Sequence, residues 1–336
     1  MIYKDFSIEK LNSFGIYCKA KRYISIENEL SLENISPKVI NDKILILGGG
    51  SNIIFANNYF DGTILHIQNK GIEIIEEDNE SAIVEIKAGE NWNDVVVWST
   101  KNMLWGIENL SAVYGNAGAV AVQNIGAYGC EIKDSFLECL TYNIKEKSWK
   151  RFSKQDCKFD YRYSIFKYQK QLNVIWSIRL RLSKIPKINL SYEAIKKEVE
   201  NNNLKIETPL QMSNLVRDIR NRKLPDPNIL GNCGSFFKNP IITYKEFIIL
   251  KEKFPTIPFY DAENNCKKIP AAFLIETLGY KGKRVGNVGM HSHQALVMVN
   301  YGGALGEEVI FLANEITNKV KEIFNINLEK EVHIIL

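Results

Sequence analysis

The chain has 336 residues, 45% of them hydrophobic, 11% aromatic and 24% charged, a globular composition that excludes a disordered tail, a collagen-like repeat or a disulfide mini-domain. At roughly 150 residues per domain, the length calls for about two domains with ample chain for a core. The net charge of +4 is small and spread along the chain, so it excludes an evident nucleic-acid footprint and leaves room for an anionic small molecule.

The first residues place acids and lysines where a targeting signal needs an apolar run, and no later apolar run is long enough to span a bilayer. A soluble, cytoplasmic protein is expected. Lys43–Leu47 reads as a buried strand that ends in Gly48-Gly49-Gly50-Ser51-Asn52, and Ile53-Ile54-Phe55 reads as strand again. Gly62–Ile67, Gly71–Ile75 and Ala82–Ile86 are further strand candidates, the last two alternating apolar and polar residues over part of their length. Residues 91–101 suit a helix, although their valines weaken it. From Gly106 to Gly129 glycine and alanine dominate, which predicts a long loop pressed against something flat or charged, or two elements packed closely.

Phe136–Tyr142 and Val174–Leu182 are the next strands. Thr208-Pro209-Leu210-Gln211 carries helix-start signals at N-cap, N1 and N3, and Met212, Leu215, Val216 and Ile219 follow at helical spacing. Arg217, Arg220, Arg222 and Lys223 are assigned to its exposed end, and Leu224-Pro225-Asp226-Pro227 stops it and marks a boundary. Glu307–Phe324 reads as an amphipathic helix with Val309, Leu312, Ala313, Ile316, Val320 and Ile323 inward, followed by a strand over Glu331–Leu336. The pattern lacks the steady βαβ rhythm of a doubly wound sheet, so the fold class is α+β.

Several constellations could carry chemistry, and each has an ordinary structural reading beside it. The triple-glycine turn matches neither dinucleotide nor Walker motifs; it suits either a phosphate cradle or a tight turn. Gly234-Ser235-Phe236-Phe237-Lys238-Asn239-Pro240 sets a serine, an amine and an amide in an apolar frame, or is a turn serine beside core rings. Tyr161-Arg162-Tyr163-Ser164 places an arginine among aromatics, suited to a carboxylate or to the surface. His291 and His293 lack a third ligand, so no metal site is expected. The six cysteines form no CxxC pair and read as reduced thiols.

Taken in order, Asn12–Ile16, Leu47–Asn52, Gly106–Leu110, Gln123–Gly129, Tyr161-Arg162 with Ser164–Lys167, Lys223–Pro227, Gly234–Pro240, Gln294–Val297 and Leu328–Val332 give the chain its character. Together they make it resemble the UDP-N-acetylenolpyruvoylglucosamine reductases, MurB-type flavoenzymes of peptidoglycan precursor synthesis, in their type I branch. The resemblance covers nearly the whole chain. It implies a flavin lobe of the vanillyl-alcohol-oxidase and p-cresol-methylhydroxylase type in two subdomains, residues 1–70 with 326–336 and residues 71–222. An α+β substrate domain over 223–325 completes it.

The resemblance also implies tightly bound FAD, NADPH as co-substrate and UDP-N-acetylglucosamine enolpyruvate as substrate, in a monomer without nucleic-acid or membrane partners. FAD contacts are implied at Gly48, Gly49, Gly50, Ser51, Asn52, Gly115, Gly118, Ala119, Asn124, Gly126 and Ala127. Arg162 and Glu331 are implied to stabilise charge on the substrate, and Ser235 to protonate its C2 carbon. Tyr192, Lys223, Asn239 and Gln294 are implied to hold the diphosphate and sugar, with Tyr161 and Tyr128 as further contacts. The chain departs from the family pattern at Tyr114 and Ala121, where prolines are usual, at His333, where arginine is usual, and in stopping at Leu336 without a short tail. Another FAD-dependent oxidoreductase of the same fold and a non-catalytic flavin or UDP-sugar binder are the alternatives.

Overall fold

The strand Ser81–Lys87 buries Ala82, Val84 and Ile86 and leaves the residues between them partly exposed, the period-2 pattern of a half-buried strand. It lies in a five-stranded sheet ordered Ser148–Ser153, Phe136–Asn143, Asn173–Ser183, Ser81–Lys87, Ile72–Glu77, with every neighbour antiparallel. These details come from a computed structural model that describes residues 1–167 and 172–336. The chain divides into two compact units, one of residues 1–6, 20–50 and 61–222, the other of residues 7–19, 51–60 and 223–336.

In the first unit, Trp92, Val96, Val120 and Ala121 pack with Val84, Ile178 and Leu180 in one core. Trp92 and Val96 come from the helix Trp92–Lys101, whose start is fixed because Asn91 Oδ1 accepts the Asp94 N–H at 3.2 Å. That cap, with burial of Trp92, Val95 and Val96, outweighs the modest helix cost of the valines. A second sheet, ordered Ile2–Ser7, Lys19–Ile26, Tyr59–Ile67, Ile44–Leu47, has its last two strands parallel. The helix Pro209–Lys223 begins as its sequence dictates: Thr208 Oγ1 accepts the Gln211 N–H at 3.2 Å and Gln211 Oε1 accepts the Thr208 N–H at 3.1 Å.

The expected long loop over Gly106–Gly129 is corrected in its middle, where Ala117–Val122 is helical. Its alanines favour helix, and Gly118 lies where a Cβ would come within 2.6 Å of Ala88 Cβ. Here the small residues serve close packing.

In the second unit, Gly231–Ser235, Val297–Asn300, Val288–Met290 and Arg284–Val285 form an antiparallel sheet in that order. The helix Gly306–Phe324 buries Val309, Leu312, Ala313, Ile316 and Val320, but Ile323 is 45% exposed. Phe324 carries the apolar stripe instead, its ring centroid 4.7 Å from that of Phe254. The helix starts hard against the strand Ile53–Phe55: a Cβ on Gly306 would lie 1.9 Å from the Phe55 carbonyl oxygen. The last strand is shorter than its sequence suggests, His333–Ile335, and runs parallel to Ile53–Phe55. Glu331 stays outside it because its N–H goes to the Phe236 carbonyl at 2.9 Å. The class is α+β, and among the described residues no helix is long and apolar enough to cross a membrane.

Candidate active site

In the first unit the two glycine-rich stretches meet. A Cβ on Gly49 would lie 2.8 Å from Asn116 Oδ1 and 3.0 Å from Gly115 Cα, and one on Gly48 would lie 3.6 Å from Ala119 Cβ. Gly50 turns the chain with φ of 61°. The second stretch is pinned by backbone bonds from Trp92 N–H to Gly115 C=O and from Gly118 N–H to Ala88 C=O, both 2.9 Å. With Gly49 and Ala119 exposed, the result is a surface of backbone with few side chains, a cradle that fits a flat or phosphorylated cofactor.

Arg162 stands at the tip of a tight loop in which Asp160 and Tyr163 exchange two backbone hydrogen bonds at 3.1 Å. Its φ of 53° is a left-handed value that costs a non-glycine residue about 1–2 kcal/mol. Arg162 Nη2 donates to the Gly126 carbonyl at 2.7 Å, and a Cβ on Gly126 would lie 2.9 Å from Arg162 Nη1. Gly126 is therefore small to admit a guanidinium. The Tyr161 ring centroid is 5.5 Å from the Arg162 guanidinium carbon. Asn124 faces the protein: its Nδ2 donates to Glu131 and to the Asp160 carbonyl, both at 3.0 Å, and its Oδ1 accepts the Lys133 N–H. Ala127 pairs with Cys130 in a two-residue ladder beside it.

Tyr128 and Tyr192 meet edge to face, ring centroids 5.1 Å apart. The Arg220 guanidinium carbon lies 5.9 Å from the Tyr128 centroid. Burial holds the Tyr128 hydroxyl above its usual range, with Arg220 opposing and Tyr192 adding to the rise. Arg220 is half-buried, not at an exposed helix end as its sequence position suggests. Burial pulls its pKa below the usual value, and Arg162, a like charge, adds to this while Tyr128, Tyr114 and Tyr192 oppose it. Among the described residues Arg220 has no hydrogen bond or ion pair. The missed signal is its spacing: Met212, Val216 and Arg220 recur every four residues on one helix face.

In the second unit, Ser235 and Glu331 are brought together. Ser235 ends the strand Gly231–Ser235, and Phe236 and Phe237 behind it are fully buried. The bond from Glu331 N–H to the carbonyl of Phe236 sets Glu331 beside the serine's immediate neighbour. Asn52 joins them, its Nδ2 donating to the Glu331 carbonyl at 3.2 Å and its own carbonyl accepting the His333 N–H at 3.0 Å. Ser51 precedes it, half-buried. Gly234 has φ of 66° and nothing within 4 Å of where a Cβ would stand, so space opens beside Ser235.

The remaining polar candidates are partly engaged. Asn239 Oδ1 accepts the Ala271 N–H at 2.9 Å and Gln294 Oε1 accepts the Leu296 N–H at 3.3 Å. Lys223, at the exposed C-terminal end of its helix, has no hydrogen bond or ion pair among the described residues. His291 and His293 have ring centroids 5.5 Å apart, and no group of three metal-ligating side chains occurs among the described residues. All six cysteines are free thiols, and burial pushes Cys130 up to about 11 and Cys233 up to about 12, far from a reactive thiolate.

Residues 226–335 match the family model of the C-terminal domain of UDP-N-acetylenolpyruvoylglucosamine reductase, and residues 38–142 match that of an FAD binding domain. The chain is 45% identical over 336 residues to the UDP-N-acetylenolpyruvoylglucosamine reductase of Flavobacterium johnsoniae, with 99% of each chain covered. It is 41% identical to that of Amoebophilus asiaticus over 99% of this chain and 98% of the relative. The crystal structure of the reductase from Thermus caldophilus has the same fold, with a TM-score of 0.69, 18% identity, and coverage of 99% of this chain and 98% of that one. With a flavin-type cradle in one unit and the reductase's own C-terminal domain in the other, matched end to end by full-length relatives, the chain belongs to the UDP-N-acetylenolpyruvoylglucosamine reductase family.

Proposed function

We propose that the chain reduces UDP-N-acetylglucosamine enolpyruvate to UDP-N-acetylmuramate with NADPH, in peptidoglycan precursor synthesis. The observation that supports this most is the hydrogen bond from Glu331 N–H to Phe236 C=O, which couples the proposed charge stabiliser to the strand end carrying the proposed acid. When bound, FAD supplies the relay of a hydride from NADPH to the enolpyruvyl methylene carbon. Gly48, Gly49, Gly50, Ser51, Asn52, Gly115, Gly118, Ala119, Gly126 and Ala127 are the residues proposed to hold it. Asn124 serves it by bracing the Arg162 loop.

Reduction at the methylene carbon leaves negative charge on C2 and its carboxylate, and Arg162 and Glu331 are the groups proposed to stabilise it, Glu331 as a protonated donor or by orienting other donors. A fixed donor of this kind contributes about 10²–10³ in rate. Ser235 delivers the proton to C2; a serine is a weak acid, but an enolate is a strong base, and fixed geometry makes the transfer feasible. Lys223, Asn239, Gln294, Tyr192, Tyr161 and Tyr128 hold the UDP-sugar, and Arg220 adds a cation for one of its anionic groups. The proposed layout is a flavin lobe of residues 1–70 with 326–336 and residues 71–222, followed by a substrate domain, in a cytoplasmic monomer that binds no nucleic acid.

The test is an anaerobic titration of the two half-reactions. Purified protein is expected to be yellow, to bleach with NADPH and to recolour on addition of UDP-N-acetylglucosamine enolpyruvate. Ser235→Ala is expected to bleach near the wild-type rate and to recolour about 10²–10⁴-fold more slowly. Colourless protein that FAD cannot reconstitute would refute the reading. Bleaching without recolouring by this substrate would favour another flavin-dependent oxidoreductase, and equal loss in both halves would remove Ser235 from the role of acid.

A further inference from the structure

The Gly106–Leu110 motif contains Asn109, fully buried, whose Nδ2 donates to the carbonyls of Tyr128 at 2.9 Å and of Asn189 at 3.1 Å. Asn189 answers from the other side. Its Nδ2 donates to the Gly129 carbonyl at 3.0 Å, and its Oδ1 accepts the Ser191 N–H at 3.0 Å and the Ser191 hydroxyl at 2.6 Å. Two amides thus cross-brace the segment 128–129 to the segment 189–191.

The braced backbone needs such support. Tyr128 has φ of 50° and Gly129 φ of 81°, so two consecutive residues are left-handed, and only the second is a glycine. A Cβ on Gly129 would meet Ser191 Oγ at 2.7 Å, so the two segments are in contact at this point. Each segment then presents one tyrosine, Tyr128 and Tyr192, to the other in an edge-to-face pair.

We infer that Asn109 and Asn189 are positioning residues that hold the Tyr128–Tyr192 pair in the arrangement that receives the UDP-sugar. The inference rests on the proposed reading that Tyr192 contacts the substrate. A buried asparagine that only satisfied local backbone would brace one segment. This one spans two segments, one of which carries Tyr128 and the other of which leads directly into Tyr192.

Steady-state kinetics on the FAD-loaded enzyme test it, with Asn189→Ala, Tyr192→Ala and the double variant. Asn189 is half-buried, so its truncation leaves the core intact; Asn109→Asp, which keeps the shape and removes the donors, is the companion. Asn189→Ala and Asn109→Asp are each expected to raise KM for UDP-N-acetylglucosamine enolpyruvate about tenfold, with kcat within about threefold and the flavin spectrum unchanged. In the double variant the rise in KM is expected to fall clearly short of the product of the two single effects, because both changes act on the same tyrosine pair. Fully additive effects, or an unchanged KM in Asn189→Ala when Tyr192→Ala raises it, would overturn the clasp. An unchanged KM in Tyr192→Ala itself would overturn the substrate reading of that tyrosine and the clasp with it.

Discussion

Arg220 illustrates what a single residue adds to the pattern around it. A half-buried guanidinium beside a second one, with tyrosine rings as neighbours and no acceptor among the described residues, is electrostatically incomplete. An anionic group of the proposed substrate would complete it. Arg220→Gln is expected to raise KM for UDP-N-acetylglucosamine enolpyruvate about tenfold, and Arg220→Lys, which keeps the charge but loses the planar fork, to fall between. If KM holds and the flavin is lost instead, the cofactor's phosphates are the partner. The residue was missed in the sequence because apolar periodicity marks only the greasy part of a helix face, and a cation continuing that face reads as its solvated margin. Arg162, Ser235 and Glu331 become candidates by resemblance alone: nothing in their local sequence separates them from a surface arginine, a turn serine and a strand-end acid.

Elements were more readable where local signals and packing agree. The helix Pro209–Lys223 has its capping residues and its apolar stripe in register, so its start could be read directly. Ala117–Val122 was hidden because Gly118 argues against helix, and the requirement for glycine comes from Ala88, distant in sequence. Gly118→Val is expected to cost about 1–3 kcal/mol, because the overpacking against Ala88 exceeds the roughly 0.5–1 kcal/mol that a helical glycine gives away. Thermal unfolding of the flavin-free protein would show this as a Tm below the parent's.

The neighbouring turn Glu108–Leu110 supplies a pH signature. Glu108 is 2% exposed, and burial raises its carboxyl above the usual range, while the Gly106 N–H at 2.6 Å opposes the rise. With the folded pKa above the unfolded one, its stabilising contribution is complete below the unfolded pKa and is lost as pH rises through the folded pKa. Glu108→Gln keeps an acceptor and removes the titration, so its Tm relative to the parent is expected to climb from pH 4 to pH 7. A constant difference across that range would show that Glu108 does not titrate differently in the two states.

For the whole molecule, the units are discontinuous in sequence; the resemblance implied one such return, of residues 326–336 to residues 1–70, but that residues 7–19 and 51–60 join residues 223–336 could not be read from motifs that lie one after another. The second unit needs residues 7–19 and 51–60 as well as 223–336. Within it, the Asn232 N–H goes to the Ser13 carbonyl at 3.0 Å, and Asn300 Nδ2 to the Phe14 carbonyl at 2.8 Å. A Cβ on Gly231 would lie 2.4 Å from that same Phe14 oxygen. Ile53–Phe55 supplies both the parallel partner of the final strand and the seat for the start of the helix Gly306–Phe324. A fragment of residues 223–336, cut at the proline-flanked boundary that looks natural in the sequence, would lose the partner of its last strand and bare the apolar residues beneath it. It is expected to give a poorly dispersed amide spectrum and no cooperative thermal transition, whereas the full chain unfolds cooperatively. Adding residues 1–60 as a separate chain is expected to restore dispersion in part, because the missing strand and the Ser13–Phe14 acceptors return together. A fragment of 223–336 that melts cooperatively near the Tm of the full chain would show that this unit holds its fold without the two earlier segments.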